Sequence, residues 1–264
     1  NEKGAAFVHA FDDEAIITGQ GTVGIEILEQ LPDVEVIVVP IGGGGLIAGI
    51  AAAVKEKNPS IKVYGVEAEA CPSMAESLKG KELLTVNSTP TMADGIAVKR
   101  PGQHPFGLVE KFVDGIVTVD EMEIARTMLL LLERNKLLVE GSGAASLAAM
   151  VYKKLPIEDK KVVTVISGGN VDVSFISRII ERGMVESGRF MQFQTILKDK
   201  PGNLEKVLQV ITEHQGNILN ISVSHIGDKI YPSYAQLFLS IETKNQEHIQ
   251  EILEALKQKG YTNI

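Results

Sequence analysis

Hydrophobic and polar positions along the chain fall into two patterns that meet near Gly188. Before it, continuous apolar runs alternate with longer helical stretches. VEVIVV (34–39), KVYGVE (62–67), DGIVTV (114–119) and KKVVTVIS (160–167) read as strands. LIAGIAAAVKEK (46–57), ACPSMAESL (70–78), DEMEIARTMLLLLERNKLL (120–138) and SGAASLAAMVYKKL (142–155) read as helices. Strands with no polar face, separated by helices, predict an α/β unit: a parallel sheet covered on both faces. Residues 5–11 read as one more apolar strand. Asp120 with Glu123 three residues on is a capping box, and Leu129, Leu132 and Leu137 leave that helix apolar over much of its surface.

After Gly188 the period changes. RFMQFQTIL (189–197), NILNISVSH (217–225) and YAQLFLSI (234–241) alternate apolar and polar residues, as half-buried antiparallel strands do. Leu204, Val207, Leu208 and Ile211 share one helix face, and Ile249, Ile252, Leu253 and Leu256 another. The order β-α-β-β-α, with GYTNI (260–264) as a candidate last strand, predicts a ferredoxin-like α+β module. Two domains follow, 1–188 and 189–264.

Composition narrows the function. At 264 residues, 44% hydrophobic and 23% charged, this is the make-up of an ordinary globular protein, and a net charge of −8 argues against nucleic acid or an anionic membrane as partner. No apolar stretch is long enough to span a bilayer, so the expected location is the cytoplasm. One cysteine, Cys71, permits no internal disulfide, and its neighbourhood matches no zinc spacing.

The chemistry gathers at IGGGGLIAG (41–49), where a strand passes through Gly42, Gly43, Gly44 and Gly45 into a helix beginning near Leu46. Consecutive glycines leave backbone N–H groups uncovered, and a helix start adds about half a positive charge, so the expected ligand is a phosphate approaching where side chains are missing. A Walker loop is excluded because GK[ST] is absent. Gly43, Gly45 and Ala48 satisfy G-x-G-x-x-A, with Glu67 where a ribose-binding acid would stand, so an NAD-dependent dehydrogenase is one alternative. Two further small-residue turns, ISGGN (166–170) and EGSGAAS (140–146), exceed what a dinucleotide needs and fit a compact cofactor with a phosphate at one end and a heteroaromatic nitrogen at the other.

With IGGGGLIAGIA, VYGVE, ADGIAV (93–98), LLVEGSGAAS and SGGNVD (167–172), the chain from about Phe7 to Gly188 resembles the fold-type II pyridoxal-phosphate enzymes, specifically the serine/threonine dehydratases. The resemblance implies pyridoxal 5'-phosphate as cofactor, its phosphate held by 42–45 and Leu46, its pyridine nitrogen by Ser167, with Glu140 near the ring and Asp94 and Gly95 lining the substrate pocket. It further implies an ammonia-lyase: β-elimination of L-threonine, or L-serine, to a 2-oxo acid and ammonia. A divalent-cation site of some relatives would use Glu67, the carbonyl of Cys71 and an acid where this chain has Ser73, so no metal is expected and Glu67 reads as readily as a solvated acid.

The module after Gly188 resembles the ACT family on KDKPGNL (198–204). That implies an amino-acid effector, isoleucine or valine, received by Pro201, Gly202, Asn203 and Leu204 at a helix start, and a homo-oligomer, since such modules pair. A non-catalytic amino-acid-binding regulator is the second alternative. The S-x-F-K-x-R-G motif that supplies the Schiff-base lysine in the dehydratases occurs nowhere in the chain, nor does S-x-G-N-H. With a start at Asn1, this leads to the expectation that the chain is the downstream part of a longer enzyme and is inactive alone.

Overall fold

The computed structural model describes residues 8–226 and 230–263. The chain divides into two compact units, one ending at Val173 and the other beginning at Ser174. In the first, strands β1 (Val36–Pro40), β2 (Lys62–Ala68), β3 (Gly115–Val119) and β4 (Val162–Thr164) form a parallel sheet in the order β3-β2-β1-β4. Central β1 is buried along its whole length, which explains its uninterrupted apolar run. Helices α1 (Glu14–Gln30), α2 (Gly45–Lys57) and α4 (Gln103–Phe112) join the core on the face of Ile37, Val39 and Val63. Between them in sequence lies α3 (Ser73–Gly80); α5 (Glu121–Leu130) packs on α6 (Gly141–Val151), which lies against β1, β2 and β3.

The N-terminal segment departs from the pattern. Val8 to Phe11 form no strand, and residues 5–7 lie outside the described residues. His9 Nδ1 accepts from the amides of Phe11 and Asp12, which turns the chain, and Asp13 then caps α1 by accepting from Ala15 and Ile16. Glycines at 19, 21 and 24 hide α1 from a propensity reading, and two of them serve close packing on α2. A Cβ on Gly49 of α2 would stand 2.2 Å from the carbonyl oxygen of Ile17 and 2.8 Å from the amide of Gly21. The Asp120–Glu123 capping box forms as expected. Its α-helix stops at Leu130 and widens into a π-turn, Leu131–Asn135, leaving Leu137 and Leu138 about half exposed rather than helical.

Glu67, at the end of β2, is fully buried, so the reading of it as a solvated acid is corrected. Its two oxygens accept from the amides of Met74 (2.8 Å) and Ala75 (2.9 Å), which makes it the cap of α3. The carbonyl of Cys71 accepts from Ser73 N, and the Ser73 hydroxyl donates to Val98 O at 2.6 Å. The Glu67 carboxylate thus acts as a cap of α3, beside a serine whose hydroxyl is turned toward another carbonyl. No metal-ligating cluster occurs among the described residues. Burial pushes the Glu67 carboxyl up to about 7, against the two amide bonds that favour its charged form.

The second unit begins one residue into α7 (Val173–Glu186) and continues with β5 (Phe190–Lys198), α8 (Asn203–Glu213), β6 (Asn217–Ser224), β7 (Tyr234–Glu242) and α9 (Gln246–Gln258). The antiparallel sheet runs β5-β7-β6, with α8 and α9 packed on the face of Met191, Phe193, Leu237 and Leu239. Strict alternation holds in β5 and β7. In edge strand β6 a register shift between Ile218 and Asn220 leaves Leu219 unpaired and 53% exposed. No strand forms over 260–263, although the Asn263 side chain accepts from Gln194 N beside β5; Ile264 lies outside the described residues.

Two tests follow from this packing. Gly49→Ala should destabilise the first unit by about 1–3 kcal/mol, because the methyl meets backbone, whereas Gly19→Ala, with open space beside it, should stabilise α1 by about 0.5–1 kcal/mol. Urea titrations of both variants check the opposite signs. Glu67 binds its proton more tightly folded than unfolded, so its contribution is complete below pH 4.5 and is lost as pH rises to about 7. The stability difference between the parent and Glu67→Gln should therefore shrink by about 3 kcal/mol between pH 4.5 and 8, and a flat difference would contradict the buried acid.

Candidate functional site

The carboxyl end of β1 delivers the chain into 42–45, and α2 starts at Gly45 without a side-chain cap. Gly43, Gly44, Gly45 and Ile47 are all buried. Gly44 has φ +95°, a left-handed conformation that favours glycine. Among the described residues, no protein acceptor meets the amides of Gly42, Gly43 or Gly44. A buried helix start whose donors lack protein partners calls for an anion.

The reason for the glycines differs from the one the sequence predicts. Protein, not open space, fills the side-chain positions. A Cβ on Gly43 would lie 2.3 Å from the Phe11 ring, one on Gly44 2.5 Å from Met74 Cε, and one on Gly42 3.0 Å from the Ile96 backbone. The loop is clamped through its Cα atoms, and what it can offer a ligand is its N–H edge.

A second uncapped helix start lies beside it. α6 begins at Gly141 with Glu140 as N-cap residue and no side-chain cap, and its first residues Gly141, Ser142 and Gly143 are buried. Glu140 is tied to the turn after β4 at both ends: its amide donates to Gly168 O (3.1 Å), and its carboxylate accepts from Asn170 N (3.0 Å). Ser167, in that turn, is exposed. Asp94 and Gly95 open a short 3-10 turn, Asp94–Ile96, and are exposed. A Cβ on Gly95 would be 2.8 Å from Ser142 Oγ and 3.5 Å from Glu140 Oε1, while the Gly95 carbonyl faces the Cβ position of Gly42 at 3.4 Å. Thus Gly42, Gly95, Glu140 and the turn of Ser167 form one contiguous group at the carboxyl end of the sheet. Leu46, in the first turn of α2, is half-buried beside it.

Sequence reasoning missed Phe11, Met74 and Ser142. Ser142 is 4% exposed, and its hydroxyl has no hydrogen-bond partner among the described residues. The signal for Phe11 was the pair Asp12 and Asp13 ahead of a helix, hidden because the segment read as a strand.

Lys55 and Lys62, on the first unit's α2 and β2, lie away from this group. Lys55 and Lys62 both pair with Asp114, at 2.7 and 2.8 Å, at the amino end of the strands. Lys55 lies near the end of a thirteen-residue helix, about 15 Å from its glycine start. In the second unit, Pro201 and Gly202 turn the chain into α8, with Gly202 at φ +85° and no side-chain cap; Asn203 donates from its side chain to Lys198 O, and Leu204 packs at the edge of the core.

Comparison with known proteins agrees with this division. Residues 1–168 match the family described as Pyridoxal-phosphate dependent enzyme, and residues 192–260 match the ACT domain. The chain is 48% identical to an L-threonine ammonia-lyase of Thermotoga maritima and 45% identical to one of Geobacter sulfurreducens, over 98% of its own length and 64% and 65% of theirs. A processed threonine deaminase isoform 2 of Solanum lycopersicum shares the fold at TM-score 0.64 and 34% identity, over 68% of this chain and 53% of that one. The chain therefore spans less than two thirds of the length of these relatives. Glycine loop, parallel sheet and family match converge: this chain belongs to the pyridoxal-phosphate dependent enzymes and carries an ACT domain after the part that matches them.

Proposed function

We propose that this chain is part of a threonine ammonia-lyase, a threonine dehydratase that converts L-threonine, and L-serine as a second substrate, to the 2-oxo acid and ammonia. The observation that carries the reading is the buried, uncapped start of α2 with three loop amides that meet no acceptor among the described residues, in a chain with L-threonine ammonia-lyases among its relatives. The residues fit the cofactor at its phosphate end: 42–45 and Leu46 present amides and the positive end of a helix dipole. Ser167 would meet the pyridine nitrogen, and Glu140 the ring.

Pyridoxal phosphate, when bound, supplies an electron sink that lets the substrate lose its α-proton and then its β-hydroxyl. The chain's own contribution is placement. The Glu140 carboxylate, accepting from Asn170, holds the 167–170 turn and so sets where the Ser167 hydroxyl stands. A neutral hydroxyl at a pyridine nitrogen moderates the electron sink, which suits elimination. Asp94 and Gly95, beside Glu140 and the loop, would line the substrate side.

The lysine that would carry the cofactor is proposed to lie outside this chain, because the S-x-F-K-x-R-G motif that supplies it in the dehydratases occurs nowhere in the sequence. The 201–204 turn is proposed to receive an aliphatic amino-acid effector, isoleucine or valine, in an assembly of more than one copy.

Borohydride reduction of the chain with pyridoxal phosphate should label no single lysine stoichiometrically, and L-threonine should give no 2-oxobutanoate. Peptide mapping that finds one labelled lysine, with product formed, would relocate the active site into this chain. For the second unit, titration calorimetry should show saturable heat with isoleucine or valine for residues 1–264 and none after removal of 190–264. Equal heats from both would remove the regulatory role from the ACT domain.

A further inference from the structure

We infer that Phe11 is a positioning residue for the anion site, the working tip of a strap, residues 9–13, that fixes the direction of the glycine-loop amides. The inference rests on the phosphate reading above and adds a residue to it. The Phe11 ring occupies the side-chain position of Gly43, at 2.3 Å from where a Cβ would be, and the Phe11 carbonyl oxygen stands 2.9 Å from the corresponding position at Gly45. One aromatic residue therefore covers two of the four loop glycines, while Met74 and Pro105 press on Gly44 between them.

The strap is anchored on both sides of Phe11. Before it, His9 Nδ1 accepts from Phe11 N at 3.3 Å and Asp12 N at 2.9 Å, and the His9 ring meets the Phe11 ring edge-on with centroids 4.6 Å apart. After it, the Asp12 carboxylate accepts from Gln103 N and His104 N, both at 2.9 Å, at the start of α4, and contacts His104 Nδ1 at 3.0 Å. Gly102, the residue before α4, donates its amide to Gly43 O at 3.0 Å. Strap and loop thus hold the same helix start, one by a side chain and the other by a carbonyl. Asp13 then caps α1.

A core phenylalanine that only filled space would touch side chains. Phe11 instead touches a backbone with no polar side chain of its own, whose amides are the donors it can offer a ligand. Four successive residues without side chains have wide conformational freedom, and an anion site built from them loses affinity for every conformation other than the one that aims its amides together. The strap removes those alternatives before the ligand arrives.

The test uses the 264-residue chain with Phe11→Ala and, to refill part of the space, Phe11→Leu. Amide hydrogen exchange of Gly42, Gly43, Gly44 and Gly45 should quicken at least about tenfold in Phe11→Ala and less in Phe11→Leu, with β1 exchange unchanged. Affinity for inorganic phosphate and pyridoxal phosphate should fall about tenfold, while affinity for pyridoxal, which lacks the phosphate, stays the same. Unchanged loop exchange in Phe11→Ala overturns the inference, as does a looser loop with undiminished phosphate affinity or an equal loss for pyridoxal. Failure of the parent chain to bind phosphate at all overturns the anion-site reading itself, and the positioning role with it. Where Phe11→Ala does not fold, the same comparison is made with Phe11→Leu.

Discussion

Between Pro40 and Gly45 the chain leaves a fully buried strand and enters a helix whose first turn is also buried, without one side chain to satisfy the donors it exposes. Water cannot serve buried amides freely, and among the described residues no protein group caps this helix start. The surrounding packing is arranged around that constraint. Phe11, Met74, Pro105, Ile96 and Val98 close on the loop from its Cα side, which leaves its N–H edge as the available surface. A charged oxygen is the group that such an edge accepts best.

The second helix start repeats the arrangement with different means. Where α2 relies on glycine, α6 relies on small residues and on Glu140, whose amide and carboxylate both engage the turn after β4. Because β1 and β4 are neighbours and parallel, their carboxyl ends point the same way, so the glycine loop after β1 and the turn after β4 that Glu140 holds leave the sheet at the same edge. The group of residues assigned from motifs is therefore a consequence of sheet order. The lysines at the opposite end of the strands are committed to Asp114, which ties the β2 and β3 entries together.

Glu67 shows how a residue with a plausible functional reading can be absorbed by structure. Its carboxyl sits in a site that raises its proton affinity, and the two α3 amides offset part of the cost of burying a charge there. Through α3 it also sets Met74, whose Cε lies against Gly44. Removal of this cap would thus reach the glycine loop through one side chain.

By itself the sequence determined the class of each unit. Continuous apolar strands against alternating ones separate a covered parallel sheet from an open antiparallel one, since the number of buried faces is written directly into the period. It also determined the Asp120–Glu123 box, whose partners are three residues apart, and the three turns that carry the family motifs. Tertiary structure alone decided what depends on distant neighbours. The α1 helix exists despite its glycines because α2 approaches to backbone contact at Gly49; over 8–11, the described part of an expected strand, the chain turns because His9 and Asp12 find amides to hold. Glu67 is a cap because α3 presents two amides to it, and Leu219 of β6 is exposed because the register shift against β7 leaves it unpaired. Why the loop has four glycines was likewise invisible in IGGGGL: local sequence shows that side chains are missing, and only the packed fold shows that an aromatic ring, a thioether and a proline take their places.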